Sequence, residues 1–393
     1  MLNKICIEPP FSIGIIGGGQ LGKMMTVAAK KMGFRVVILD PTKNCPAAQV
    51  ADKQIIASYD DKDNIKKLVT SCNVVTYEFE HIDSKSLVSL ALAGYPIYPA
   101  PTTLQLIQNK FTQKQKLQKA GLPVASFMAI HSKDDIERAA ELFGFPLLLK
   151  ACTGGYDGKG NYLIRDYSDI EAALEALTGS PLMVEAYVSF SCEVSILVAR
   201  DQQGNVVTYP LSENIHEDNI LISNITPARV SEDVSIKARE IAGAAMELFA
   251  GVGVFCIELF VTAAGDILIN EIAPRPHNSG HYTIEACVTS QFEQHIRAIA
   301  GLPLGSTQLI QPAVMVNLLG ALKQSGPAVL LGCDRALAIP GVHLHFYGKE
   351  ETAPKRKMGH ATITGATVEE AIAIGNEIAG MLQVVARTEV GKK

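Results

Sequence analysis

Short apolar runs alternate with helix-patterned segments through the first hundred residues of this 393-residue chain. Residues 12–18 (SIGIIGG) are typical of a buried strand that ends in glycines, and residues 20–33 repeat apolar side chains at the spacing of one helix face. Further strands are predicted at 35–40, 53–58 and 73–80, and helices at 64–71 and 84–94. Because strands that alternate with helices form βαβ units, this pattern predicts a parallel α/β sheet covered on both faces.

The remainder of the chain has a mixed pattern. A block that begins near residue 110 alternates short strands and helices around a glycine-dense loop, which predicts a small α+β unit. A third block, from about residue 191, combines apolar strands with helical patterns at 231–251 and 367–382. We therefore expect an α/β N-terminal part followed by two α+β parts.

Composition excludes several functional classes. Hydrophobic residues make up 48% of the chain and charged residues 19%, which favours several buried cores over a disordered chain. The chain contains no run of about 18 uncharged apolar residues, so no membrane-spanning helix is predicted. No apolar signal region precedes the first glycines. The net charge of −5 and the lack of Trp argue against a nucleic-acid partner. Eight scattered cysteines without a CxxC pair favour free thiols, so we expect a cytoplasmic protein.

A glycine-rich turn follows the first predicted strand. Gly17, Gly19 and Gly22 have the GxGxxG spacing, and Asp40 ends the next strand about 20 residues later. This pattern is typical of a dinucleotide-binding turn, in which a helix N-terminus takes a pyrophosphate and the acidic residue a ribose hydroxyl. The same glycines also suit a plain strand–helix turn, or a turn that offers N–H groups to one substrate phosphate. All three interpretations stay open at this point.

A second glycine-dense loop occupies residues 153–160 (TGGYDGKG). Glycine-rich backbone can wrap phosphates with its N–H groups and close over them as a lid. The loop differs from a Walker A loop, because Gly154 and Gly158 are one residue too close and Gly160 stands where Ser or Thr is needed. A flexible hairpin tip would explain the glycines, but not Lys150 at the end of the preceding strand.

Two carboxylates lie in strongly apolar predicted strands, Glu258 in FCIELF and Glu271 in LINEIAP. A carboxylate in such a run is costly unless it is paired or bound to a metal. Adjacent strands would bring both carboxylates onto one Mg²⁺ site, which needs hard oxygen ligands. Pairing of each carboxylate with Lys or Arg is the alternative.

The loop that follows these strands is dense in polar side chains (residues 274–281, PRPHNSGH). Arg275 can hold an anion through two parallel hydrogen bonds. His277 and Asn278 can orient a small substrate or move a proton. We therefore expect this loop to lie beside the reacting groups.

Two more polar stretches are candidates for substrate contacts. Glu78 and Glu80 close the fourth predicted strand, at the edge where open α/β sheets bind ligands, and alternation would point both to one face. A solvated strand end explains them equally well. Lys349 and the basic cluster 355–357 (KRK) flank a predicted loop, which indicates either ordinary surface or a local phosphate clamp.

Taken together, these motifs resemble those of the ATP-grasp superfamily, in which a glycine lid follows a strand-end lysine and Glu and Asn-Glu bind magnesium. The resemblance is closer to one family of purine biosynthesis, the 5-(carboxyamino)imidazole ribonucleotide synthases. The segments that carry it keep the family's order and span nearly the whole chain: IIGGGQLGKM, YEFEHI, TGGYDGKG, YPLSENIHEDNIL, NEIAPRPHNSGH and RKMGH.

The resemblance implies three domains: a Rossmann-like N-terminal domain (1–109), an ATP-grasp lid domain (110–190) and a C-terminal α+β catalytic domain with the magnesium site (191–393). It implies a carbon–nitrogen ligase that uses ATP and bicarbonate to carboxylate 5-aminoimidazole ribonucleotide through carboxyphosphate, releasing ADP and phosphate. Bicarbonate is a poor electrophile and needs this activation, and a lid that excludes water would protect the intermediate. The resemblance also suggests a homodimer.

The same resemblance implies a role for each candidate residue. The ATP ligands would be Lys110, Lys150, Gly155, Tyr156, Asp157, Gly158, Lys159, Gly160, Asn161, Glu185, Ala186, Tyr187, Val188, Glu193, His216, Asn270 and Glu271. The ligands of Mg²⁺ would be Glu258 and Glu271. The ribonucleotide would contact Gln20, Leu21, Glu80, Asp157, Lys349 and Arg356. The catalytic residues would be Arg275, His277, Asn278 and Lys150. In this interpretation the first glycine turn binds substrate rather than a dinucleotide.

Three other functions stay open from the residues alone. A sister ATP-grasp enzyme, such as a formate-dependent glycinamide ribonucleotide transformylase or a biotin carboxylase, would share the motifs that bind the nucleotide. An NAD-dependent dehydrogenase would explain the glycine turn but leave TGGYDGKG and NEIAPRPHNSGH unexplained. A non-catalytic nucleotide-binding regulator would tolerate loss of Glu258 or Glu271, yet both are present.

Overall fold

The N-terminal part of the computed structural model, which describes residues 8–155 and 160–387, is a parallel α/β sheet. Its elements are β1 (Ser12–Ile16), α1 (Gln20–Lys31), β2 (Arg35–Leu39), β3 (Lys53–Ile55), α2 (Lys62–Ser71), β4 (Val74–Tyr77), α3 (Ser84–Leu92), α4 (Pro101–Ile107) and α5 (Lys110–Lys119). The strands run parallel in the order β3-β2-β1-β4. The predicted α/β class is confirmed here.

Burial on both faces explains why these strands are apolar throughout. Ile13 and Ile15 of β1 pack against α1, while Ile16 packs with Leu68 of α2 in a separate core on the other face. A parallel sheet with helices on both sides requires this continuous apolar pattern. Helix α2 begins where the side chain of Asp61 accepts a hydrogen bond from a backbone N–H of its first turn.

A second, antiparallel sheet follows. Its elements are β5 (Phe127–Ile130), α6 (Lys133–Phe143), β6 (Leu147–Ala151), β7 (Asn161–Ile164), α7 (Ile170–Ala176) and β8 (Leu182–Ala186). The strands lie in the order β5-β8-β6-β7, and α6 and α7 pack on the sheet around Ile136, Leu147 and Ile170. The glycine-dense segment joins β6 to β7. This arrangement places Lys150 and Glu185 on neighbouring strands.

A large, predominantly antiparallel sheet contains most of the remaining chain. Its elements and the helices around it are β9 (Phe190–Arg200), β10 (Val206–Thr208), β11 (Ser212–Glu217), β12 (Ile220–Thr226), α8 (Glu232–Phe249), β13 (Gly253–Thr262), β14 (Ile267–Ala273), α9 (Thr283–Ala286), α10 (Gln291–Ile299), β15 (Ala313–Leu319), β16 (Gly326–Leu331), α11 (Cys333–Leu337), β17 (Val342–Phe346), β18 (Glu351–Thr352), β19 (Lys357–Thr364), α12 (Val368–Met381) and β20 (Gln383–Ala386). The strand order is β14-β13-β9-β11-β12-β15-β19-β17, with β10 beside β9. A small sheet, β18-β16-β20, packs against the large one through a shared core that contains Val384 and Val316.

One hairpin of this sheet has no counterpart among the strands predicted from sequence. Strands β11 and β12 are joined by Asp218 and Asn219, with φ of +48° and +62°. Two positive φ values are typical of the tight turns that match strand twist, and Asp and Asn tolerate them. The polar residues of β11 concealed its strand character, because Ile215 is the one apolar residue of that strand and no alternation or apolar run marks it.

His295 of α10 joins the first sheet to the large one. Its Nδ1 accepts a hydrogen bond of 3.1 Å from the backbone N–H of Val254, and its Nε2 lies 2.8 Å from the hydroxyl oxygen of Thr76. Because Val254 can only donate here, the ring proton resides on Nε2 and is donated to Thr76. Complete burial lowers the pKa of His295 to about 3.

The cysteines within the described ranges are free thiols. Cys45, Cys152, Cys256 and Cys287 are buried, and Cys72, Cys192 and Cys333 are half-buried. Cys6 lies outside the described residues. In residues 8–155 and 160–387, no helix has the length and apolar character needed to span a bilayer.

Candidate active site

The three larger sheets meet around a cleft with a volume of about 810 Å³. The α1 turn and the chain after β4 form one part of the wall, β6 and β7 another, and β9 to β14 a third. The cleft is lined by these predicted site residues: Gln20, Leu21, Glu80, Lys110, Lys150, Gly155, Asn161, Glu193, His216, Glu258, Asn270, Glu271, Arg275, His277, Asn278 and Lys349.

Two carboxylates face each other on the third wall. Glu258 of β13 and Glu271 of β14 are directly opposite in the strand register. Burial and the nearby Glu271 raise the pKa of Glu258. Burial also acts to raise the pKa of Glu271, but the ammonium of Lys110, 2.5 Å from its Oε2, outweighs this and lowers it. The pair therefore has excess negative charge and hard oxygen donors, which fits a small divalent cation.

Lysines from two other elements lie at the same end of the cleft. Lys110 stands at the start of α5, and Lys150 stands near the end of β6, where its Nζ donates to Oε2 of Glu185 at 2.9 Å. Gly155 of the glycine-dense loop and Asn161, at the start of β7, line the same cleft. Cations and backbone at a glycine-rich loop form a suitable environment for phosphate groups.

An ion pair lies farther along the cleft. His216 of β11 and Glu193 of β9 approach to 3.3 Å. Burial opposes the charged form of His216, but Glu193 outweighs it and raises the pKa of the imidazole. The side chains of His216 and Glu193 are 21% and 24% exposed, so both are accessible from the cleft.

Several predicted nucleotide ligands do not line the cleft. Among the described residues, Gly160, Glu185, Ala186, Tyr187 and Val188 belong to this group. Glu185 is buried behind Lys150, whereas the side chain of Tyr187 is half exposed beyond the end of β8. Tyr156, Asp157, Gly158 and Lys159, which were also predicted to contact ligands, lie outside the described residues.

The polar loop after β14 is held by contacts with three other elements. The Nε of Arg275 lies 2.9 Å from Oε1 of Glu80, beyond β4. The side-chain amide of Gln291, on α10, accepts from the N–H of His277 and donates to its carbonyl oxygen. Both polar atoms of the Asn278 side chain are buried without a hydrogen-bond partner among the described residues. That amide is therefore available to a ligand in the cleft.

The contacts of His277 define its tautomer. The backbone N–H of Ser279 donates to Nδ1, so Nδ1 carries no proton and Nε2 does. Nε2 lies 3.1 Å from Oε1 of Glu258 and donates to it. Burial and the charge of Arg275 lower the pKa of His277 well below its usual value, which keeps the imidazole neutral.

A basic group closes the opposite end of the cleft. The Nζ of Lys349 lies 3.1 Å from the side-chain oxygen of Gln20, and burial lowers the pKa of this lysine to about 8. Lys357 lines the cleft although it was not predicted to do so. Arg356 is exposed and donates to the carbonyl oxygen of Glu351 instead. The basic cluster 355–357 in the sequence indicated this basic end of the cleft. It did not indicate which of its side chains faces the cleft.

The first glycine turn carries an internal carboxylate where a dinucleotide fold would bind a ligand phosphate. The carboxylate of Glu78 accepts from the N–H groups of Gly19 and Gly22. Asp40 accepts from the N–H of Gly18 at 2.8 Å and from the hydroxyl of Tyr59 at 2.6 Å. These side chains engage the groups that a dinucleotide would need, which argues against the NAD interpretation.

The strand-face prediction for Glu78 and Glu80 does not apply to the structure, for a local reason. Strand β4 ends at Tyr77, so the alternation that would point both carboxylates to one face no longer applies. Glu78 turns toward the N-terminus of α1, and Glu80 toward Arg275. Both still line the cleft.

Three family models match successive parts of the chain. They describe a ribonucleotide synthetase preATP-grasp domain (residues 11–108), an ATP-grasp domain (115–292) and a phosphoribosylaminoimidazole carboxylase C-terminal domain (313–374). The chain is 44% identical over 365 residues to N5-carboxyaminoimidazole ribonucleotide synthase of Bacillus subtilis, covering 92% of this chain and 93% of the relative.

Solved structures show the same similarity. The crystal structure of N5-carboxyaminoimidazole ribonucleotide synthetase from Thermotoga maritima matches with a TM-score of 0.89 and 50% identity, over 96% of this chain and 100% of that one. N5-carboxyaminoimidazole synthase from Aspergillus clavatus, in complex with ADP and 5-aminoimidazole ribonucleotide, matches with a TM-score of 0.88 and 36% identity. The latter match covers 94% of this chain and 98% of that one.

Proposed function

The chain belongs to the family of N5-carboxyaminoimidazole ribonucleotide synthases, and from that premise we propose how its cleft carries out the reaction. It is an ATP-grasp ligase of purine biosynthesis that carboxylates 5-aminoimidazole ribonucleotide at the expense of ATP. We propose bicarbonate as the carboxyl donor. The observation that carries the proposal is that one cleft holds a carboxylate pair, buried lysines and a polar loop with an unpaired amide.

ATP occupies the end of the cleft between the second sheet and β13–β14. Lys110 and Lys150 contact its phosphates, with Gly155 to Asn161 covering them. The segment from Glu185 to Val188 holds the adenine, and Glu193 with His216 and Asn270 lies along the ribose side. The pairing of Lys110 with Glu271 and the position of Lys150 in the same cleft support this placement. The Aspergillus relative was solved in complex with ADP, which supports a nucleotide as the ligand.

Glu258 and Glu271 are the residues that would hold Mg²⁺. Two opposed carboxylates suit a cation that commonly takes one or two carboxylates and completes its shell with phosphate oxygens and water. When bound, the cation would neutralise charge that develops on the transferred phosphoryl group. His277 already donates a hydrogen bond to Glu258 and so orients that carboxylate.

The polar loop holds the reacting small molecules. A bicarbonate oxygen attacks the γ-phosphorus of ATP, ADP leaves, and carboxyphosphate forms. The nitrogen of the ribonucleotide amine then bonds to the carboxyl carbon, either of carboxyphosphate as its bond to the phosphate oxygen breaks or of CO2 released from carboxyphosphate in the site. The proton lost by the amine passes to the departing phosphate. Arg275, fixed by Glu80, presents its remaining N–H groups to the anion, and the unpaired amide of Asn278 orients the groups that react. Exclusion of water protects carboxyphosphate from hydrolysis.

The ribonucleotide lies between the α1 turn and the basic end. Gln20 and Leu21 contact its body, Glu80 faces its amine side, and Lys349 approaches its phosphate. Arg356 would have to turn inward to join Lys349, whereas Lys357 already lines the cleft. We also propose that Asp157 contributes from the glycine-dense loop.

The same proposal covers organisation beyond the site. We assign the Rossmann-like, lid and catalytic domains to residues 1–109, 110–190 and 191–393. The start of β9 at Phe190, where the chain enters the large sheet, supports the second boundary. The free thiols support a reducing, cytoplasmic location. A homodimer is proposed from the family resemblance, and the mass in solution tests it.

The decisive test is ADP release with ATP, Mg²⁺ and bicarbonate, measured with and without 5-aminoimidazole ribonucleotide. We expect strong stimulation by the ribonucleotide that disappears when bicarbonate is omitted. Glycinamide ribonucleotide with formate serves as the matched control, because a sister ATP-grasp enzyme would respond to that pair. A folded protein that binds ATP but shows no stimulation by 5-aminoimidazole ribonucleotide would contradict the acceptor assignment.

A further inference from the structure

Helix α5 turns three polar side chains toward the nucleotide end of the cleft, although its sequence (KFTQKQKLQK) is that of a solvated helix. Lys110 pairs with Glu271. Gln113, almost fully buried, donates to the carbonyl oxygen of Ile272 at 3.2 Å and accepts from its N–H at 3.1 Å. Lys114 follows one turn after Lys110 and is 3% exposed. Helix α5 therefore contacts both the carboxylate strand and the second sheet through buried polar groups.

Lys114 and Lys150 share a single carboxylate. The Nζ of Lys114 lies 3.1 Å from Oε1 of Glu185, and the Nζ of Lys150 lies 2.9 Å from Oε2 of the same side chain. Burial acts to raise the pKa of Glu185, but these two ammonium groups outweigh it and lower the pKa. Two ammonium groups and one carboxylate leave one positive charge within this trio, and Glu271 acts electrostatically on both lysines. Such a charge is costly unless an anion compensates it.

The sharing has a consequence when a nucleotide binds. The ammonium of Lys150 has three donors but one positive charge, so on contact with a phosphate it shares that charge between the phosphate and Glu185. If Lys150 were the sole partner of Glu185, the buried carboxylate would then be only partly compensated, and the cost would reduce the binding free energy. Because Lys114 also pairs with Glu185, the carboxylate stays compensated after Lys150 turns toward the phosphate.

We propose that Lys114 is a positioning residue for nucleotide binding, the second counter-ion of Glu185 that lets Lys150 direct its charge to the phosphates of ATP. The proposal rests on the proposed function, because it takes the phosphate role of Lys150 as given. Lys114 reaches the nucleotide through Glu185 and Lys150 rather than by contact with the reacting atoms.

The protonation of Lys114 gives the proposal a signature that packing alone would lack. Burial lowers the pKa of Lys114 to about 8, and Lys150 contributes in the same direction, while Glu185 and the more distant Glu271 oppose it. Nucleotide binding favours the charged form of Lys114, so the affinity is constant below this pKa and falls as the pH rises through it. The terminal phosphate of a nucleotide titrates at lower pH and does not obscure this range.

The test measures MgADP binding by calorimetry from about pH 7 to about pH 9.5, a window centred near the pKa of the lysine. For the wild type we expect MgADP binding to weaken as the pH rises above about 8. For Lys114→Met at neutral pH we expect a dissociation constant about tenfold higher, with no further loss at alkaline pH. The KM for 5-aminoimidazole ribonucleotide should stay unchanged. Lys119→Met, an exposed lysine of the same helix, is the matched control and should bind as the wild type does.

Two results would overturn the proposal. One is Lys114→Met binding MgADP as tightly as Lys119→Met; the other is wild-type affinity that stays constant across the whole pH range. The second does not depend on how well the variant folds. A wild-type protein that neither binds MgADP nor releases ADP in response to the ribonucleotide would instead refute the proposed function itself.

Discussion

Replacing His295 by Asn tests whether this buried imidazole makes the fold sensitive to acid. The Asn side-chain oxygen can still accept from the N–H of Val254, but the side chain is too short to donate to Thr76. Loss of this buried hydrogen bond should lower the free energy of unfolding at neutral pH by about 1–2 kcal/mol.

The pH dependence gives the sharper expectation. Burial depresses the pKa of His295 from the usual 6.5 to about 3, so the fold requires the neutral ring. The resulting stability is fully present above the unfolded-state pKa and is lost as the pH falls from 6.5 toward 3. At pH 5, which is about 1.5 units below 6.5, the loss is about 2 kcal/mol at 1.36 kcal/mol per unit. Asn does not titrate, so the variant lacks this loss.

The assay is urea unfolding of both proteins at about pH 7.5 and about pH 5, with the difference in free energy of unfolding compared between the two conditions. Other buried histidines, such as His281 and His360, contribute equally to both proteins and cancel. We expect the deficit of about 1–2 kcal/mol at about pH 7.5 to decrease by about 2 kcal/mol at about pH 5, so that His295→Asn becomes as stable as the wild type or slightly more stable. His131→Asn, an exposed histidine, should show no such change. A deficit of equal size at both pH values would refute the assigned pKa and tautomer.

Three other perturbations test the cleft. Glu258→Gln should lower ADP release by about 100-fold or more, because an amide is a poor Mg²⁺ ligand, while far-ultraviolet circular dichroism stays unchanged; near-normal turnover would argue against the metal assignment. Lys349→Met should raise the KM for 5-aminoimidazole ribonucleotide about tenfold and leave that for ATP unchanged. Because burial lowers the pKa of Lys349 to about 8, the wild-type KM should also rise above that pH, and a parallel rise in the variant would contradict this role. Glu78→Gln should lower the free energy of unfolding by about 1–2 kcal/mol in urea, because the two oxygens of Glu78 accept from Gly19 and Gly22, whereas a Gln side chain has one accepting oxygen. Unchanged stability would count against the capping contact.

The N-terminal sheet was predictable from sequence because burial on both faces imposes a local pattern. Every residue of β1 beyond the first is buried, and its apolar run can be read without knowledge of the partners. The glycine turn was ambiguous for the opposite reason. The side chain that occupies its N–H groups, Glu78, is 59 residues from Gly19 in the chain, and no local pattern reports that contact.

The buried polar face of α5 could not have been predicted either. Periodicity locates apolar stripes, and Gln113 and Lys114 sit in a helix of low apolar content. They are buried because β14 and β8 supply partners that lie 71 to 159 residues away. Likewise, the sequence cluster 355–357 indicated a basic surface, but the turn that exposes Arg356 and directs Lys357 into the cleft depends on the start of β19.

The large sheet has a consequence for ligand design. Strands β13 and β14 carry the carboxylate pair, and β19, which begins at Lys357, belongs to the same hydrogen-bonded sheet. The carboxylate pair and the basic end are therefore linked through a continuous backbone ladder. A two-headed inhibitor with a phosphate at one end and a metal-binding group at the other would span sites on this shared support. For such a compound a stiff linker of matched length should outperform a flexible one, because the second contact then forms at a higher effective concentration.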